Sequence, residues 1–155
     1  MLKPGDVAPD FELPNADLEM VHLEDLKGNT GLILFFYPKD DTPGCTIESL
    51  EFSDLDEEFS RHGFQVFGIS RDDCESHGKF RDKHGLMTRL LSDVDGTMCE
   101  AYGVWREKEA RGVVRAGILR STFIVDRDGV VRHTLYDVKP KGHADQVLEL
   151  VKALG

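Results

Sequence analysis

One of the chain's three cysteines stands where a sulfur could do chemistry. In "YPKDDTPGCTIESLEF", residues 37–52, Thr42 is suited to cap the start of a helix and Pro43 is favoured at its first position. Cys45 then falls third in the helix, a place that a capping box gives to a carboxylate. The unpaired N–H groups and partial positive charge of a helix start favour thiolate, the nucleophilic form, over thiol. Gly44 lets backbone or substrate approach closely. Pro38 and Pro43 stiffen the loop and remove two backbone donors. A second unusual residue is Arg120, within the apolar run "ILRSTFIV". A guanidinium in a core strand is costly unless an anion meets it. Strand ends and helix starts converge on one rim of an open α/β sheet, so Arg120 could stand beside Cys45. The plainer alternatives are a cysteine that only packs and an arginine at a strand edge reaching solvent by its stem.

The surrounding pattern supplies elements to hold these residues. "GLILFFY", 31–37, is nearly continuous in apolar residues, as expected of a strand covered on both faces. A helix is expected from about 43 to 62, with Ile47, Leu50, Leu55 and Phe59 on one stripe and Gly63 closing it. "FQVFGIS", 64–70, reads as a second buried strand, 75–85 as a short helix weakened by Gly78, "RLLSD" as a short strand and "GTMCEAYGV" as another short helix. Residues 117–126 and 130–138, joined by "RDG", read as a hairpin. Residues 143–154 form an amphipathic helix with Val147, Leu150, Val151 and Leu154 at helical spacing. A short hairpin is expected upstream, in residues 10–26. "EKEARG", 107–112, reads as a solvated charged loop. This order predicts a single α/β domain over residues 1–155, with helices on both faces of a mixed sheet and an extra N-terminal hairpin. Thioredoxin-like folds have that order.

Composition narrows the function. A net charge of −10 disfavours nucleic acid and anionic membrane surfaces as partners. No apolar run approaches the roughly 18 residues of a membrane span, and "MLKPGDVAPDF" lacks an apolar signal region. A reducing, cytoplasmic location is therefore expected. Three cysteines without a Cys-x-x-Cys pair form neither a disulfide framework nor a zinc pattern. His22, His62, His77, His84, His133 and His143 are scattered. His77 and His84 are seven apart on a weak helix, so surface histidines are expected, with no metal and no cofactor.

"YPKDDTPGCT" resembles the active-site loop of peroxiredoxins, whose signature is proline, three residues, threonine, two residues and the peroxidatic cysteine. Pro38, Thr42 and Cys45 match it. "TPGCT" followed by Glu48 is similar to the bacterioferritin comigratory protein, or Q-type, branch. "PGDVAPDFELP", "GISRD", "LLSDVDGTMCEAYGVW", "RSTFIVDRDGVV" and "GHADQVL" extend the likeness over nearly the whole chain. The resemblance implies a thioredoxin-like fold and a thiol peroxidase for hydrogen peroxide and organic hydroperoxides. It places the family's catalytic arginine on Arg120. Thr42 would hold the peroxide, the N–H groups of Gly44 and Cys45 would stabilise developing charge, and Pro38 would shield the sulfur. Glu48 would either bridge to an arginine or remain solvated.

Removal of the resulting sulfenic acid is where the chain departs from the family. The two positions at which Q-type members carry a resolving cysteine are Leu50 and Arg81 here. A one-cysteine cycle is therefore expected in a monomer, with thioredoxin, glutaredoxin or glutathione as reductant. Two alternatives stay open. Cys74 could resolve Cys45, although Asp72, Asp73 and Glu75 disfavour its thiolate; Cys99 reads as packed. Otherwise, the chain is a redox sensor that relays oxidation from Cys45 to a partner protein.

Overall fold

A computed structural model of the chain describes residues 1–154. The N-terminal hairpin is present: β1 (Glu12–Pro14) pairs antiparallel with β2 (Met20–His22), and the short α1 (Leu23–Leu26) follows. β3 (Gly31–Phe36) is buried along its whole length. α2 (Pro43–Asp54), α3 (Asp56–Arg61), β4 (Phe64–Ser70), α4 (Cys74–His84), β5 (Arg89–Ser92) and α5 (Thr97–Ala101) come next. β6 (Trp105–Ala110) and β7 (Val113–Ile118) form a second hairpin. β8 (Ser121–Val125), β9 (Val131–Leu135) and α6 (His143–Ala153) complete the chain.

The central sheet has the order β5-β4-β3-β8-β9. β3 runs parallel to β4 and antiparallel to β8, so the sheet is mixed, as expected. Successive residues of β3 face opposite sides. Leu32, Leu34 and Phe36 pack with Phe67, Ile69, Met98, Tyr102 and Phe123 beneath α5 and the N-terminal segment. Ile33, Phe35 and Tyr37 pack with Phe52, Phe59, Phe80 and Val147 beneath α2, α3, α4 and α6. With apolar cores on both faces, the strand needs no polar face, which explains its unbroken apolar run.

Four expectations need correction. The helix expected over 43–62 is two helices meeting at Leu55, whose ψ of 1° interrupts the first; Asp56, Glu57 and Glu58 then supply the acidic first turn that favours a new start. The apolar stripe is also different, because Ile47 is exposed and α2 instead buries Cys45, Glu48, Ser49, Phe52 and Ser53. The charged stretch 107–112 is the tip of the β6–β7 hairpin, with Ala110 paired to Val113. Its charges obscured it as a strand, and Glu107, Glu109 and Ala110 are exposed there, so they give no buried alternation to read. Finally, the run 117–126 is not one strand. Gly117 and Ile118 pair with β6, whereas Ser121 pairs with Phe36 of β3. Arg120 occupies the break, where its carbonyl accepts a hydrogen bond from Val138 N at 3.0 Å.

Candidate active site

β3 delivers the chain to the rim of the sheet at Tyr37. The loop 38–42 then turns into α2, helped by Asp41 at φ 58°. Thr42 holds the capping position in extended geometry, and Pro43 opens the helix. The Thr42 hydroxyl does not cap, contrary to expectation: it donates to the Lys39 carbonyl at 2.8 Å. The first-turn N–H groups of Gly44 and Cys45 therefore receive no side-chain cap.

Cys45 is 1% exposed, and its neighbours Thr42, Gly44 and Thr46 are partly exposed. Arg120 reaches it from the break between β7 and β8, with Nη2 donating to Sγ at 3.3 Å. The other arm, Nη1, donates to Glu48 Oε1 at 2.8 Å, one helical turn beyond the cysteine. Glu48 is fully buried, so it is bridged to the arginine rather than solvated. One guanidinium thus ties two side chains of the same helix face. A methyl group built on Gly44 would stand 3.2 Å from Arg120 Nη2, so the glycine makes room for that approach.

Burial pushes the Glu48 carboxyl up to about 7, against the pull of Arg120. Its second oxygen, Oε2, is buried without a hydrogen-bond partner. Burial works against the Arg120 charge, but Glu48 and the Cys45 sulfur outweigh it and push the guanidinium's pKa up. His143, first residue of α6, bonds through Nε2 to Thr122 Oγ1 at 2.8 Å. Burial pushes its imidazole pKa down, against the hydrogen bond to Gln146 and with a smaller push from nearby Arg120.

Residues 4–134 match the family model described as AhpC/TSA family. The chain belongs to that family. It is 43% identical over 151 residues to Peroxiredoxin Bcp of Escherichia coli strain K12, covering 97% of this chain and 96% of the relative. The bacterioferritin comigratory protein of Xanthomonas campestris, described for alkyl peroxide reduction, superposes with a TM-score of 0.89 at 40% identity, over 93% and 91% of the two chains. PrxQ of Xylella fastidiosa superposes with a TM-score of 0.93 at 36% identity, over 99% and 98%. Within the AhpC/TSA family this is a peroxiredoxin of the Bcp, or Q, type, and its fold is thioredoxin-like.

The remaining candidates fall outside the Cys45–Arg120–Glu48 cluster. Pro38 is exposed and lines a groove of about 340 Å³ with Arg71, Val94 and Trp105. Cys74 is the first residue of α4 and partly exposed. Cys99 is wholly buried on α5; burial and the adjoining Asp93 carboxylate push its thiol far above the ordinary range. Leu50 packs against the core of its face, and Arg81 pairs with Asp17 at 2.9 Å.

The expectation of surface histidines fails for two residues. His77 and His143 are buried and hydrogen-bonded. A histidine surrounded by polar neighbours in sequence reads as exposed; tertiary packing gave each a private partner. Another feature invisible to pattern reading is a polar network under the active-site loop, built from Tyr37, Asp40, Ser76 and His77.

Proposed function

We propose that Cys45 is the peroxidatic nucleophile of a thiol-dependent peroxidase acting on hydrogen peroxide and organic hydroperoxides. The observation that carries this reading is the forked Arg120, which donates to Cys45 Sγ while Glu48 holds its other arm. A positive, pre-oriented donor on the sulfur remains in place as charge redistributes in the transition state.

The thiolate attacks the hydroxyl-bearing oxygen of the hydroperoxide. The S–O bond forms as the O–O bond breaks, and the O–O electron pair leaves with the alkoxide. The alkoxide takes up a proton and departs as alcohol, or as water from hydrogen peroxide. Sulfur is oxidised by two electrons to sulfenic acid. Thr42 has committed its own proton to Lys39, so its oxygen is an acceptor for the hydroperoxide O–H. Arg120 and the N–H groups of Gly44 and Cys45 supply donors to the reacting oxygens.

Recovery follows a one-cysteine cycle in a single-domain, cytoplasmic monomer. An external thiol condenses with the sulfenic acid, releasing water and leaving a mixed disulfide, and a second thiol frees Cys45. Thioredoxin, glutaredoxin or glutathione fills this role. Arg81, engaged with Asp17, and the core-packed Leu50 support this reading over internal resolution. Mass spectrometry of peroxide-treated protein tests it. Sulfenic or sulfinic acid on Cys45 is expected; a Cys45–Cys74 disulfide would replace the one-cysteine cycle with an internal one. Turnover with each reductant in turn then identifies the donor.

A further inference from the structure

α4 grips the active-site loop at both of its ends. In its first turn, Ser76 Oγ donates to Asp40 Oδ2 at 2.8 Å and His77 Nδ1 meets the same oxygen at 2.7 Å. In its last turn, Lys83 Nζ and His84 Nε2 reach the two oxygens of Asp41 at 2.7 and 2.9 Å. The pairs 76–77 and 83–84 are two turns apart and so lie on one face of the helix. Consecutive carboxylates of the loop thus meet corresponding pairs along that face.

The two grips differ in kind. His77 is completely buried, and its Nε2 lies 2.9 Å from the Leu91 carbonyl, which can only accept. Nε2 therefore carries a hydrogen. Nδ1 and Asp40 Oδ2, at 2.7 Å, must then share another proton, because two bare acceptors would repel at that distance. Tyr37 donates its hydroxyl to Asp40 Oδ1 at 2.6 Å. Burial, with Asp40 beside it, raises the tyrosine's pKa and keeps it a donor. Asp40 N and Ser70 Oγ both donate to Asp72 Oδ2, at 2.8 and 2.7 Å. Asp40, Asp72 and His77 place ligand atoms within 4.8 Å of one another, but these internal donors already fill the set. The Asp41 grip is half-exposed and holds a non-glycine residue at positive φ, a conformation that needs outside support.

Between these grips and the chemistry stands one hydrogen bond, from Thr42 Oγ1 to the carbonyl of Lys39, the residue before Asp40. We propose that α4 is a splint for the peroxide-binding loop, with Ser76, His77, Lys83 and His84 as positioning residues. By fixing Asp40 and Asp41 they fix the Lys39 carbonyl, and so hold the Thr42 oxygen as an acceptor for the hydroperoxide. This rests on the peroxidase reading above.

The test uses the full-length protein and releases the half-exposed grip first. Asp41→Gly suits the positive φ and removes the carboxylate; Lys83→Met with His84→Leu removes its partners. Two rates are measured at Cys45: single-turnover oxidation by hydrogen peroxide, and alkylation by iodoacetamide, which does not use Thr42. Either release is expected to slow oxidation about 10-fold, the scale of a small misplacement of a reacting group, and to leave alkylation unchanged. In a Thr42→Val background the same releases are expected to have no further effect on oxidation. Oxidation that is unchanged by both releases overturns the splint alone. So does a parallel loss of alkylation, or an undiminished effect in the Thr42→Val background. A wild-type Cys45 that fails to react with hydrogen peroxide overturns the peroxidase reading as well.

Discussion

α2 and α4 each carry a cysteine in the first turn, Cys45 third in one and Cys74 first in the other. At α4, Asp73 holds the capping position and accepts from Ser76 N at 2.8 Å, and Glu75 adds a second acidic group to the first turn. At α2, the capping hydroxyl turns back to Lys39, and no acidic residue occupies the first turn. The anion-stabilising end of a helix serves whichever negative group reaches it. α4 gives its end to its own carboxylates, and the helix gains order. α2 leaves its end open to a sulfur that also receives a guanidinium. A cysteine near a helix start is therefore not reactive by position alone; the capping residue and the nearest charge decide what the position does.

Exchanging or removing these partners tests the contrast. The largest effect is expected from Cys45→Ser, which should abolish peroxide consumption while Cys74→Ser leaves Cys45 oxidation intact; equal losses would erase the distinction. Arg120→Ala should slow Cys45 oxidation about 100-fold, as removal of one preset transition-state donor does, without changing Cys74 alkylation. Stopped-flow oxidation separates that outcome from a purely structural role, in which both cysteines would change.

Glu48 offers a test by pH. Its folded pKa of about 7 lies above the ordinary 4.5, so the folded state holds a proton that the unfolded chain has released between those values. The stability linked to this group is present below about 4.5 and falls as pH rises through 7. Denaturant melts at pH 5 and pH 8 should show a smaller loss in Glu48→Gln than in wild type. An identical loss would mean that the carboxyl is not raised. The smallest effect is expected from Asp73→Thr, which should cost roughly a few tenths of a kcal/mol of stability and raise the Cys74 alkylation rate a few-fold at most.

Legibility in the sequence followed the range of the interactions. The apolar run of β3, the Thr-Pro start of α2 and the turn after Val125 are local, and each was found where its residues indicated. Arg120 was singled out because a charge within an apolar run is costly, yet the run proved to be two strands with the arginine at their break. The Thr42 cap was right in position and wrong in its hydrogen bond, because the hydroxyl had a choice between two nearby backbone partners. The β6–β7 hairpin was missed, because a strand that buries little carries no strong alternation.

By itself the sequence determined which sulfur follows a Thr-Pro helix start, which strands must be covered on both faces and which arginine lacked a local excuse. Only the tertiary structure decided that Arg120 forks between Cys45 and Glu48, and that Asp40 and Asp41 are held by α4. Backbone propensity acts over a few residues and is written in neighbouring letters. Ion pairs and shared protons join residues tens of positions apart, and they exist only once packing has excluded water and set the distance.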